Sequence, residues 1–501
     1  MIPAPGDGWS RLSPLKLLLD PVKVLRQALV PVFVTLIGVS QSDMRFWPVI
    51  LPVAVIGPVV LGAIPWLTTH YRLTDTQVQV RRGLLNKSTS TAPLDRVRSV
   101  DLEASLLHRI LGLQKVEIGT GVDDDRIELD ALATTDAQAL RTTLLQHRAG
   151  AEQPVGEPRT VVDDDRAVAP GPELLAAIDW SWLRFAPFSL ARLVLLAGAV
   201  GVFSQFADDL PSWNEDTANS VWGWVQQFAL VVVVAVVLVV GLAGWVLVAG
   251  TGYVVQWWNF RLVREQGGFT LTNGLFTTRS ITVEEAKVRG VQLTEPWLLR
   301  AVGGAELSTI ATGVESGITA VLPPCPRDVA VSVGEAVLAG AGPLTEPLVE
   351  HGPLARRRTW LRQVRASLVL VIAAAVAAWW FDWSWWWPVA IAVAALTLAA
   401  FAGESSYRHL GHALVGDHLV AGSGALARIR TVLETDGIIG WVVRQSWWQR
   451  RIGLSDLVAT TAAGAERVVV RDVGLDVAIA LADAATPGLL ADFLRRPRSR
   501  A

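Results

Sequence analysis

Charge is scarce in this chain. Asp, Glu, Lys and Arg make up 18% of its 501 residues, against roughly 25% in soluble domains. Only five of the 44 basic residues are lysine, at 16, 23, 87, 115 and 287. Hydrophobic residues reach 51%. Single cores stop growing near ~250–300 residues, so an apolar excess in a chain this long points to membrane spans. The lone cysteine, Cys325, excludes an internal disulfide and fits a reducing compartment. P-loop, HExxH and CxxC patterns are absent, which removes the residues of phosphate cradles and the commonest zinc sites. A net charge of −2 gives no global attraction to nucleic acid.

Six apolar segments are present, at Val24–Val39, Trp47–Leu67, Phe188–Phe206, Val225–Ala249, Ala366–Phe381 and Trp386–Ala402. Short connectors at 40–46, 207–224 and 382–385 pair them into three helical hairpins. Residues 1–23 lack the apolar stretch of a cleavable signal. Basic residues stand before the odd-numbered segments: Arg11, Lys16, Lys23 and Arg26, then Arg184, then Arg356, Arg357, Arg358, Arg362 and Arg365. The tips carry one base, Arg45, and tryptophans crowd the third tip. The positive-inside rule therefore places the termini and the polar stretches in the cytoplasm.

The polar stretches repeat. VRSVDLEASLLHRILGL from Val97 aligns without a gap with VRGVQLTEPWLLRAVGG from Val288 and with IIGWVVRQSWWQRRIGL from Ile438, at offsets of 191 and 341 residues. Arg109, Arg300 and Arg450 coincide, as do Gly112, Gly303 and Gly453. Each hairpin is followed by an aromatic–Arg pair, Tyr71-Arg72, Phe260-Arg261 and Tyr407-Arg408. In the first copy, alternating runs at Val78–Arg82, Ser99–Ala104, Lys115–Gly119 and Arg126–Leu129 predict strands. SLLHRILG predicts a single helical turn among them, and a helix capped by Asp136 closes the unit with Ala137, Leu140, Leu144 and Leu145 on its apolar stripe.

This order of hairpin, strands, VRSV…LLHRILGL…VEIGTG and closing helix resembles the bacterial pleckstrin-homology (PH) domains of YdbS/YdbT-type membrane proteins. The best-matched residues are Arg98, Arg109, Gly112 and Gly119-Thr120-Gly121 in the first copy, and Arg289, Arg300, Gly303 and Thr312-Gly313 in the second. The third departs, with Ile439 in the place of Arg98. The resemblance implies a polytopic α-helical membrane protein whose three cytoplasmic α+β domains each combine a bent antiparallel sheet or barrel with a C-terminal helix. The expected division is an N-terminal segment 1–23, hairpin 24–67, domain 70–148, linker 149–172, hairpin 184–257, domain 259–342, hairpin 356–403 and domain 406–497.

No catalytic, cofactor or metal constellation emerges. His409, His412 and His418 are loosely spaced without a completing cysteine or carboxylate pair, so they read as structural or solvated, and Cys325 between two prolines reads as a loop residue. Arg81, Arg82, Lys87, Arg96 and Arg98 lie a few residues from the membrane exit, where anionic head groups attract bases. The repeated Arg109, Gly112, Arg300, Gly303, Arg450 and Gly453 read as structural: arginine satisfies carbonyls where the helical turn leaves the sheet, and glycine re-enters the next strand. The expected function is a non-catalytic membrane-anchored scaffold in cell-envelope maintenance. Its partners would be membrane lipids, a membrane protein or further copies of itself, and not nucleic acid. The alternative is a transporter or channel component, disfavoured because segments two, four and five carry no ionisable residue.

Overall fold

The computed structural model describes residues 8–20, 64–151, 172–189 and 230–489, apart from short stretches at 75, 84–86, 95–96, 98, 120–126, 266, 313–317 and 383. The chain divides into two bodies: residues 1–177, 259–285 and 313–315, and residues 178–258, 286–312 and 316–501.

In the first body, β1 (Ser10–Arg11), β2 (His70–Leu73), β3 (Gln77–Arg82) and β4 (Ser88–Pro93) form an antiparallel sheet in that order. β1 comes from the segment expected to precede the first hairpin. Period-two alternation turns Val78 and Val80 of β3 inward, with Gln77 and Gln79 on the opposite face. A second run, β5 (Ser99–Ser105), β6 (Leu113–Gly119) and β7 (Ile127–Ala133), is closed by helix α2 (Thr134–Ala151), while α1 (Leu106–Ile110) is the single helical turn between β5 and β6. Val78, Val80, Val116, Ile118, Leu129, Ala137, Leu140 and Leu144 form one buried core from both strand runs and α2. Each fully buried Val, Leu or Ile contributes about 1.5–3 kcal/mol. Asp136 lies within the first turn of α2 rather than at its cap. There it complements the partial positive charge of the helix start.

β5 is not an edge. β8 (Glu173–Ala177), β9 (Arg261–Glu265), β10 (Gly268–Asn273) and β11 (Thr277–Glu284) extend its sheet in the order β7-β6-β5-β11-β10-β9-β8. The first half of the second repeat is thus hydrogen-bonded to the second half of the first.

The second body repeats the arrangement. β12 (Val288–Pro296), β13 (Gly304–Ala311) and β14 (Ile318–Pro326) surround the one-turn helix α4 (Trp297–Ala301) and end in α5 (Arg327–Val337). β15 (Val349–Glu350), β16 (Gly411–Val415), β17 (His418–Ser423) and β18 (Ala427–Glu434) join them as β14-β13-β12-β18-β17-β16-β15. β19 (Gly440–Arg444), β20 (Leu454–Thr460) and β21 (Arg467–Gly474) form a separate sheet with α8 (Trp447–Ile452) between the first two strands and α9 (Leu475–Ala485) after the last.

Three described helices are long and apolar enough to cross a membrane. They are α3 (Leu230–Trp257), α6 (Gly352–Trp380) and α7 (Trp386–Tyr407), matching the last three apolar segments read from the sequence. Segment one lies outside the described residues, as do segment two before residue 64 and segment three after residue 189. α6 begins fourteen residues earlier than the apolar run, at Gly352 rather than Ala366. At ~1.5 Å per residue its length exceeds the ~30 Å hydrocarbon core, so its arginine-bearing first turns stand outside the bilayer. α6 and α7 pack as a hairpin: Ser367 Oγ donates to the Ala395 carbonyl (3.2 Å), and Arg356 pairs with Glu404 (2.9 Å).

The aromatic–Arg pairs are not equivalent positions. Tyr71-Arg72 lies inside β2, Arg261 opens β9, and Tyr407 ends α7. The strand registers align Tyr71 with Leu262 instead, because Tyr71 opposes Val80 and Leu262 opposes Leu271, each one 191 residues on.

Candidate interaction surfaces

The basic positions of the first copy sit at one end of its first sheet. Arg81 and Arg82 close β3 and Lys87 immediately precedes β4; all three are exposed. Arg82 donates to the Glu128 carbonyl, which fixes one guanidinium at the strand end. Arg96 and Arg98 lie outside the described residues.

Two of the three one-turn helices start on a serine cap, whereas α4 follows Pro296 with no side-chain cap. Ser105 caps α1, accepting the His108 amide on its hydroxyl, and Ser446 makes a full capping box with Gln449 at α8. Gly112, Gly303 and Gly453 follow with φ of +68°, +76° and +69°, the left-handed region that glycine enters without steric cost. Arg109 Nη1 donates to the Leu275 carbonyl (2.8 Å) in the β10–β11 turn. Its acceptor therefore belongs to the next repeat, whereas the sequence pattern pointed to a carbonyl within its own domain. Arg300 is half-buried and Arg450 exposed.

These helices hold apolar side chains outward, which no sequence pattern announces. Leu106, Ile110, Trp297, Trp447 and Trp448 are all exposed, Ile110 by 71% and the two adjacent tryptophans by 55% each. In a soluble protein such residues would face partners or aggregate.

An ionic root ties α8 to the third hairpin. Asp472, 1% exposed, faces Arg358 (2.6 Å) and Arg362 (3.3 Å) of α6. Arg362 and Gln449 Nε2 (3.0 Å) donate to its carboxylate, while Arg358 Nε is too poorly aligned for a hydrogen bond and contributes as an ion pair. Burial pushes the Asp472 carboxyl up, and the two guanidiniums pull it back. Arg365, the last charge before the apolar run of α6, lies 5.4 Å from the Trp448 ring, and Arg451 covers Trp447 at 3.8 Å. Trp448 is thereby held beside the residue at which the apolar run of α6 begins.

A histidine pair was not legible in sequence because its members are 61 residues apart. His351 Nε2 lies 2.9 Å from His412 Nδ1, and the other His351 nitrogen is 2.8 Å from the Arg471 carbonyl. Burial lowers His412 to about 4, and burial also lowers His409 to about 4 against the opposing pull of its bond to the Ser405 carbonyl. Both are neutral near pH 7. His418 stands apart on β17, and no group able to hold a metal occurs among the described residues. Cys325 ends a strand rather than occupying a loop; it is fully buried, and burial pushes its thiol up to about 12. A thiol in that state is a poor nucleophile.

Comparison with known proteins agrees with this architecture. A family model described as "Bacterial PH domain" matches residues 28–148, 215–337 and 354–487. The chain is 21% identical over 482 residues to the "UPF0699 transmembrane protein YdbT" of Bacillus subtilis (strain 168), covering 93% of this chain and 95% of that one. No solved structure matches. With three matched repeats and apolar helices able to cross a bilayer, this chain is a membrane protein that belongs to the bacterial PH-domain family.

Proposed function

We propose that this protein is a non-catalytic, multi-pass scaffold of the bacterial plasma membrane, serving the cell envelope. Three hairpins supply six spans, and the PH-like repeats and both termini are cytoplasmic. The repeats lie against the inner leaflet, where arginines meet anionic head groups and the one-turn helices lodge in the interface. The observation that carries this reading is Trp448, held beside Arg365 at the foot of α6 by the Arg358/Arg362–Asp472 root. Tryptophan and arginine are the residues favoured at that depth.

The test uses the full chain in lipid nanodiscs with an environment-sensitive fluorophore on Trp447→Cys; Cys325 is buried and does not compete. Quenching by head-group-labelled lipid is expected, and water-like emission with no quenching would reject interfacial docking. Membrane-impermeant labelling at Ser212→Cys and Ser423→Cys should occur from opposite sides. Labelling of both from one side would reject the orientation.

A further inference from the structure

The sheets contain two junctions of one kind and two open edges that match them. At each junction the last strand of one repeat's first sheet pairs with the opening strand of the preceding repeat's second sheet: β11 with β5, and β18 with β12. The registers are the same. Thr277 faces Ser105 and Ala427 faces Pro296, and these positions correspond under the repeat offsets of 150 residues for the first sheets and 191 for the second. The set is left with one unmatched strand of each type. Among the described residues β4 pairs with β3 alone, and β19 with β20 alone.

We propose that copies of this chain join head to tail in the membrane, β19 of one copy pairing with β4 of the next. Carrying the junction register to the open edges places Arg444 opposite Ser88, Val443 opposite Thr89, Val442 opposite Ser90, Trp441 opposite Thr91 and Gly440 opposite Ala92 of the next copy.

The side chains suit the pairing. Sheet edges are ordinarily guarded by charge, proline or a bulge. β19 reads GWVVR, with Val442 and Val443 exposed by 39% and 44%. β4 presents Ser88, Thr89, Ser90 and Thr91, all exposed and uncharged, and its proline lies beyond the pairing. Gly290 of β12 supplies an independent mark. A Cβ there would meet the Val432 carbonyl oxygen at 2.0 Å, because β18 passes so closely. Gly440 holds the same position in β19, where the nearest atom is Thr460 Oγ1 at 3.4 Å. The clearance that the β12–β18 junction demands is kept at the open edge. Arg450, the counterpart of the junction-bridging Arg109, is likewise exposed. A contact between two different patches is heterologous, so it propagates as a ring or an open array. Confinement to one membrane raises the effective concentration of the edges.

Two differently tagged full-length chains, one carrying Ser90→Cys and the other Val442→Cys, should be co-expressed and treated in native membranes with a short bifunctional thiol reagent. Gln292→Cys with Thr431→Cys in a single chain, the matching pair of the internal junction, is the positive control. A product containing both tags is expected. Adding Gly440→Val to the second chain should abolish it, while the hydrogen-exchange protection of β20 and β21 stays unchanged. Monomer alone beside a cross-linked control would overturn the proposal. So would a product between two Ser90→Cys chains, which indicates a twofold edge, or closure within one chain carrying both cysteines without any mixed-tag product.

Discussion

Removing both guanidiniums from the ionic root should strand a charge with almost no access to water. Asp472 is 1% exposed, while Arg358 and Arg362 are 24% and 42% exposed by side chain. The arginines can rehydrate when separated from it, whereas the carboxylate cannot. Breaking a buried pair by deleting the partner costs about 3–5 kcal/mol. Arg358→Gln with Arg362→Gln should therefore lower the opening free energy of α8, β20 and β21 by about 3 kcal/mol near pH 7.5. Asp472 can escape by protonating. Its carboxyl is already raised by burial, and losing both cations raises it further. With the folded value above the unfolded one, the variant regains stability as pH falls, at up to ~1.4 kcal/mol per unit below the folded value. The penalty relative to the parent should shrink as pH falls. Adding Asp472→Asn should remove most of it, because the amide keeps the shape without the charge. Hydrogen exchange of the full chain in nanodiscs reads these local openings. A penalty independent of pH, or unrelieved by Asp472→Asn, would refute the stranded-charge argument and leave only lost packing of the arginine stems.

The histidines predict the opposite slope in the parent protein. His412 lies near 4 when folded and near 6.5 when unfolded, so stability present above pH 6.5 declines as pH falls toward 4, by up to ~3 kcal/mol. His412→Asn should flatten that decline, and an unchanged profile would show that the histidine is not its source. Arg109→Ala removes one bond to the neutral Leu275 carbonyl, a loss of about 0.5–1.5 kcal/mol. Exchange should rise at the β5–β11 pairing and not in the core of the first repeat. Arg81→Gln, Arg82→Gln and Lys87→Gln together remove about 3 kcal/mol of attraction to an anionic leaflet. Head-group quenching of a probe on Leu106→Cys should fall in anionic nanodiscs and stay the same in neutral ones.

Much of this protein was legible without coordinates, because the relevant signals are local. Apolar runs mark α3, α6 and α7 through bilayer thickness alone. The SLLHRILG segment marks α1 and the gapless repeat alignment carries it to α8, each ending at a glycine that re-enters the next strand. Alternating valines located β3, and the closing helix followed from its stripe. The polar STSTAP run of β4 gave no such pattern, since four of its six residues face solvent with hydroxyls. The aromatic–Arg dipeptides suggested a register that the strands do not keep.

Other features exist only in the tertiary structure. Strand pairing between repeats uses backbone amides and carbonyls, which every residue carries, so nothing in the sequence announces that β11 meets β5 or that β18 meets β12. Asp472 is 110 residues from Arg362 and His412 is 61 from His351. Their burial and pairing arise when α6 and the third repeat come together, and titration behaviour follows burial rather than residue type. The composition and the repeat determined what the units are. The folded backbone decided which unit continues into which, and where that continuation is left open.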